Sequence, residues 1–258
     1  MMTYLKAKIR SSIINWRHPE LQSGQILKFE AVRHLNESYG HNGTIEDPIS
    51  PVGKGELGYT GVHLELANIF TGVELGTWAI DSRTMDWLWD FLNQNKPNTI
   101  LEFGSGSSTC LFCAWMKKYN ESGIVISIEQ NKEEAEKTSA RLSKHGIANN
   151  GRVLFMETDA AGKIIVDLQK ISQELHDKKV DMLFVDGPAG PIGCRENTLK
   201  DSMPLLAPSG HWFLHDSYRT GELDIINRWS TLKGVTTLGI LARGKGLGVG
   251  RWDLGQRI

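Results

Sequence analysis

Five acidic residues stand at or just past the ends of five apolar runs, and that recurrence is where this chain carries chemistry. Glu102 follows Thr99-Ile100-Leu101, Glu129 follows Ile124 to Ile128, and Asp159 follows the run ending at Met156. Asp186 follows Val180 to Val185, and Asp216 follows His211 to His215. Between the first two acids lies Gly104-Ser105-Gly106-Ser107-Ser108. Glycine at 104 and 106 lets the backbone bend sharply and come close to a ligand. Ser107 and Ser108 fall where a helix must begin, placed to cap free amides or donate to a carboxylate. Glu129 lies 23 positions after Gly106, near the ~20 expected of an acid that accepts from both ribose hydroxyls. The pair Asp186 and Asp216 has three physical uses: to hold a divalent metal through oxygen, to supply a general base, or to bind substrate hydroxyls. His215 titrates near neutrality and is suited to take the proton of an alcohol.

The elements that must position these groups alternate strand and helix. Asp81 or Ser82 caps a helix with Met85, Leu88, Trp89 and Leu92 on its apolar face, which ends near Asn95-Lys96-Pro97. The Glu102 strand, a helix over Cys110–Met116 and the Glu129 strand follow. Asn131 then caps a helix that stops at Gly146. A third strand at 152–156, a helix at 163–176 and the Asp186 strand come next, then a helix at 195–206 stopped by Pro208 and Gly210. The His211–His215 strand and a hairpin at 235–252 close the pattern. This predicts an α/β fold: a doubly wound, mostly parallel, seven-stranded Rossmann-like sheet with an antiparallel edge. Its ligand sits outside the carboxyl ends of the strands. Residues 76–258 form that domain and residues 1–75 an amino-terminal helical and loop extension. Within the extension, Met1 to Trp16 reads as an amphipathic helix packing on the domain or on a neighbour in a homo-oligomer, with binding to a membrane surface as the alternative. Asn36 to Gly61 reads as irregular chain, a lid or substrate loop.

The acid before a Gly-x-Gly turn resembles motif I of class I S-adenosylmethionine (SAM)-dependent methyltransferases. Thr109 stands where a dinucleotide-binding loop has its third glycine, which argues against an NAD(P)-dependent oxidoreductase. The resemblance implies that the loop lies against the methionine part of SAM and that Glu102 helps hold its ammonium. It gives Asp159 the adenine amino group, with Glu157 the alternative, and it places Trp78 and Ile80 over SAM or in the core. Asp186-Gly187-Pro188-Ala189-Gly190, Arg195, His215-Asp216-Ser217-Tyr218-Arg219 and Glu222 look like glucuronoxylan O-methyltransferases. More loosely, they look like metal-dependent O-methyltransferases of sugars and catechols. The implied activity is methyl transfer from SAM to a hydroxyl of a small molecule or saccharide. The catalytic residues are then His215, Asp216 and Asp186, and Asp186 and Asp216 are the ligands if a divalent cation (Mg, Mn or Co) assists. Ser217 replaces the second member, Asp or Asn, of the family's metal pair and is a weaker ligand, for which His215 either compensates or serves as the base instead. Two other readings are an N- or C-methyltransferase and a non-catalytic SAM-fold module. Against the amine-directed enzymes, Asp186-Gly187-Pro188 stands where their Asn/Asp-Pro-Pro-Tyr signature belongs.

Composition bounds the rest. The chain has 258 residues, 40% hydrophobic and 23% charged, with a net charge of -1. Those are the proportions of a globular protein with no electrostatic footprint for nucleic acid. No apolar run approaches the ~20 residues of a transmembrane segment, and no secretory signal is recognisable. Cys110 and Cys113 fall inside an apolar helix pattern, so a core role is expected for this C-x-x-C. With Cys194 they make an odd count that fits a reducing cytoplasm.

Overall fold

Runs rich in β-branched and aromatic residues become the parallel strands of the sheet, whose faces are covered by packed elements. In this computed structural model, which describes residues 20, 23–39, 56–71, 73–75 and 78–255, those strands are β4 (Thr99–Phe103), β5 (Ile124–Glu129), β6 (Gly151–Phe155), β7 (Val180–Val185) and β8 (Leu206–His215). The closing hairpin is β9 (Val235–Leu241) and β10 (Leu247–Asp253). Short strands β1 (Ile26–Leu27), β2 (Glu56–Leu57) and β3 (Glu74–Leu75) precede them. The helices are α1 (Phe29–Tyr39), α2 (Leu64–Phe70), α3 (Ser82–Asn95), α4 (Ser107–Tyr119), α5 (Lys132–Lys144), α6 (Leu168–Leu175), α7 (Asn197–Ser202) and α8 (Thr220–Trp229).

The main sheet runs β1-β9-β10-β8-β7-β4-β5-β6. β6, β5, β4, β7 and β8 are mutually parallel, and β10 pairs antiparallel with β8 and β9. Strand order reverses between β4 and β7, the switch point at which such sheets bind ligands. Side chains alternate across the sheet. Leu101, Phe103, Leu183, Val185, Trp212 and Leu214 fill the core on one face. Ile100, Met182, Phe184 and Phe213 fill the other, together with α3 and α4.

Register positions the site. Phe103 pairs with Ile128 on one side and Val185 on the other, and Val185 pairs with Leu214. The next residue of each strand is therefore Gly104, Glu129, Asp186 and His215, in one row along the carboxyl rim.

Several expectations are corrected. The sheet has eight strands rather than seven, because β1 adds to the free edge of β9. Val32 of α1 lies in the domain core. Asn36 to Tyr39 are helical, not irregular. The 163–176 helix is confined to Leu168–Leu175, because Asp167 caps it by accepting from the Lys170 amide, while Ile164 bridges back to Thr158. The 195–206 helix shortens to α7 followed by a 3-10 turn at Met203–Leu205. β8 runs on through Pro208 and Gly210; its pairing with β7 jumps from Leu206 to His211, a bulge that removes the need for a Pro208 donor on that side. The Met1–Trp16 helix and most of the anticipated lid lie outside the described residues. Cys110 and Cys113 are fully buried in α4, and burial pushes the Cys110 thiol up to about 12. They are core residues. Among the described residues, no helix is long and apolar enough to cross a membrane.

Candidate active site

The glycine loop is held from below by Glu102. This side chain is fully buried. Burial pushes its carboxyl up to about 7, against the pull of hydrogen bonds from Ser108, Thr109 and Ser127. Its Oε2 accepts from Thr109 Oγ1, and the same hydroxyl accepts from the Gly106 amide at 2.9 Å. Its Oε1 is buried with no hydrogen-bond partner among the described residues. A carboxylate oxygen in that state is an acceptor waiting for a donor. Gly106, the residue before α4, has φ 155° and ψ -126°, a region almost reserved for glycine. A Cβ added there would meet nothing within 4 Å, so the space above this turn is open.

Glu129 closes the other side of the loop. Its Oε2 accepts from the Ser105 amide at 2.8 Å and from Ser105 Oγ at 3.0 Å, and its Oε1 accepts from the Asn131 amide at 2.8 Å. The loop and the strand-end acid thus form one rigid unit.

At the ends of β7 and β8, carboxylates and cations interleave. His215 Nδ1 lies 2.8 Å from Asp186 Oδ1 and 3.6 Å from Asp216 Oδ1. Burial alone would lower the His215 pKa, but the charges of Asp186 and Asp216 and the Asp186 hydrogen bond outweigh it and raise the pKa. Asp216 adopts φ 60°, unusual for a non-glycine residue. Its turn is pinned by Ser217, whose hydroxyl donates to the Leu214 carbonyl and accepts from the Gly248 amide. Asp216 Oδ2 is 2.9 Å from Arg219 Nη1 and 3.3 Å from Arg195 Nη1, and its Oδ1 is 3.6 Å from Lys245 Nζ. Burial by itself would raise the Asp216 carboxyl; His215 and these three cations hold it well below the usual range.

Asp186, His215 and Asp216 offer three ligand atoms within 4.8 Å of one another, and their types suit a hard divalent ion. The surrounding charge does not. Asp186, Asp216 and Glu222 already face Arg195, Arg219 and Lys245. His215 would also have to bind as the neutral imidazole, whereas its neighbours favour the protonated form. The cluster as arranged does not fit a resident metal.

The structure thus brings Glu102, Gly104, Ser105, Gly106, Ser107, Ser108, Glu129, Asp186, His215 and Asp216 to one rim. Asp159 lies past β6 on an exposed turn, and its Oδ1 accepts from the Ala161 and Lys163 amides. Ile80 is buried in the core, whereas Trp78 is 71% exposed. Trp78 borders a cavity of about 170 Å³ that also reaches Ile192, Arg195, Arg219 and Glu222. Two residues of the site had no assigned role in the sequence reading. Arg195, almost fully buried, ties Asp216 to the backbone of both loops. Asn36 of α1 donates to the Tyr218 carbonyl at 2.6 Å and accepts from Thr220 Oγ1 at 3.0 Å.

Residues 101–217 match the family model of a methyltransferase domain. No curated protein matches the chain. Among solved structures, the fold is similar to that of the O-methyltransferase TomG from Streptomyces achromogenes in complex with SAM. Identity is 15%, over 70% of this chain and 84% of that one, with a TM-score of 0.53. It is similar to an O-methyltransferase from Bacillus cereus in complex with SAH (10% identity, 93% and 97% coverage, TM-score 0.51). A methyltransferase from Geobacter sulfurreducens is similar too (17%, 68% and 81%, 0.51). The matched stretch runs from the Glu102 strand to the Asp216 turn, and the sheet is that of the class I methyltransferases. Residues 101–217 thus make up a methyltransferase domain.

Proposed function

We propose that this enzyme transfers the methyl group of SAM to a hydroxyl oxygen of a small molecule or saccharide, with His215 as general base and Asp186 orienting it. The observation that carries the reading is the 2.8 Å contact between His215 Nδ1 and Asp186 Oδ1, one strand away from the glycine loop. Methyl transfer from a sulfonium is an in-line displacement, and the protein's main task is to align oxygen, methyl and sulfur. An alcohol reacts once its proton has somewhere to go. With Nδ1 engaged by Asp186, Nε2 is the ring atom left to accept it. Asp216, clamped by its cations, keeps the His215 backbone in place and adds to its basicity.

In this reading the unpartnered Glu102 Oε1 faces the SAM ammonium. Glu129 uses its remaining lone pairs for the ribose hydroxyls, and Asp159 reaches the adenine amino group. The cavity beside Trp78 receives the acceptor. Three buried free thiols fit a reducing cytoplasm. The ligand atoms of Asp186, His215 and Asp216 cluster, but the carboxylates are already engaged by Arg195, Arg219 and Lys245, so this reading carries no metal step. The test is mass spectrometry of SAM-dependent methylation across saccharide and small-phenol extracts, with and without chelator. O-methylated products that vanish in His215→Ala are expected. Transfer to nitrogen or carbon, or none at all, overturns the proposal.

A further inference from the structure

We infer that Arg195 is the resident cation of this site: its guanidinium bridges the carboxylates at the ends of β7 and β8, standing in for a divalent ion. The inference rests on the reading of these strand ends as the catalytic rim.

The geometry is specific. Arg195 lies between β7 and α7 and its side chain is 3% exposed. Nε donates to the Pro188 carbonyl at 3.2 Å, in the loop after β7, and Nη1 donates to the His215 carbonyl at 3.3 Å, at the end of β8. Nη1 is also 3.3 Å from Asp216 Oδ2 and 3.7 Å from Glu222 Oε1, and Nη2 is 3.9 Å from Asp186 Oδ1. One planar fork therefore addresses three carboxylates and two backbone carbonyls.

A metal bridging Asp186 and Asp216 would do two things: neutralise their mutual repulsion and fix the two strand ends relative to each other. Arg195 does both. It does so with a charge that never titrates off and donors whose directions are preset. The commitment runs both ways. Withdrawing Asp216 to serve an ion would leave a buried guanidinium short of its counter-charge, which a protein interior does not tolerate. Arg219 and Lys245 add to the compensation from the solvent side. Arg195 is a positioning residue, since it acts on the His215 and Asp186 pair and not on the reacting atoms. The reaction is accordingly metal-independent.

The first test uses the wild-type chain and MnCl2 alone. Calorimetric titration to about 1 mM, the weak end of protein sites for hard divalent ions, should show no saturable binding. One equivalent bound in wild type and lost in Asp186→Asn overturns the inference, whether or not any acceptor is methylated. The second test uses turnover. Dialysis against EDTA should leave kcat unchanged, whereas loss on chelation with rescue by Mn2+ overturns the inference. Arg195→Lys keeps the charge and loses the fork, so kcat should fall roughly 10- to 100-fold while KM for SAM stays within about threefold. Arg195→Met removes the charge, and the acid limb of its pH–rate profile should move to higher pH, because a cation no longer opposes protonation of His215. A profile that keeps its wild-type midpoint, in a variant that still melts cooperatively, contradicts the positioning role. If Arg195→Met does not fold, Arg195→Lys and the Mn2+ titration still decide.

Discussion

A Cβ on Gly104 would stand 2.8 Å from the Gly187 amide nitrogen, and a Cβ on Gly187 would stand 2.8 Å from Gly104 Cα. The loops after β4 and β7 touch backbone to backbone at the switch point of the sheet, and this contact sets the distance between the glycine loop and Asp186. Gly104 also has φ 91°. Alanine at 104 should therefore cost about 1–3 kcal/mol through strain and overlap. That should lower Tm by about 2–4 °C per kcal/mol in a domain of this size. Gly187→Ala forces the same separation with less strain at its own position. Both should weaken SAM binding by calorimetry, and full SAM affinity in either variant would show that the contact does not shape the site.

Glu102 gives the fold a pH signature. Its folded-state pKa is about 7, against an ordinary 4.5. Between those values the folded chain holds a proton that the unfolded chain has released. Stability should therefore fall as pH rises from about 4.5 to about 7 and level off beyond, with a span on the order of 3 kcal/mol. Glu102→Gln should flatten the plot of Tm against pH in that window. In wild type, SAM should bind more tightly as pH passes 7, because its ammonium favours the ionised carboxylate.

Much of this was legible from sequence, for a physical reason. Continuous apolar runs ending in acids force buried parallel strands, and register then aligns whatever follows them; Glu129, Asp186 and His215 reach one rim that way. Arg195 was not legible in its role. It reads as the first residue of a helix, and its partners are brought to it only when two loops meet. Ser217 reads as a weak metal ligand until β10 claims its hydroxyl through Gly248. Asn36 precedes Tyr39-Gly40-His41-Asn42-Gly43, so local composition marks a loop, whereas burial against Tyr218 makes it the last firm turn of a helix. Pro208 and Gly210 read as stops because a bulge in β8 has no local signature.

Asn36 connects α1 to the turn after β8. Asn36→Ala leaves the Tyr218 carbonyl without its buried donor, at a cost of about 1–3 kcal/mol. Because that turn carries Asp216 and Arg219, kcat should fall while the Kd for SAM stays put. Differential scanning calorimetry and a SAM titration separate the two effects. A weakened SAM site would place the influence of α1 elsewhere.

The pH dependence of turnover follows from the His215 environment. Asp186 and Asp216 raise its pKa above the ordinary 6.5, net of burial, and the base is the deprotonated ring. Turnover should thus rise with pH through a midpoint above 6.5. Asp186→Asn removes the nearest negative charge and the hydrogen bond, so the midpoint should move to lower pH while the plateau rate drops. A midpoint that stays in place would detach His215 from the rate.

The most direct measurement compares wild type with His215→Ala in a methyl-transfer assay on an accepted hydroxyl substrate, alongside calorimetric SAM binding. The expected result is a loss of kcat of roughly 10²- to 10⁴-fold, the range of a general base, with SAM affinity unchanged. Full turnover in His215→Ala would contradict the account at its centre.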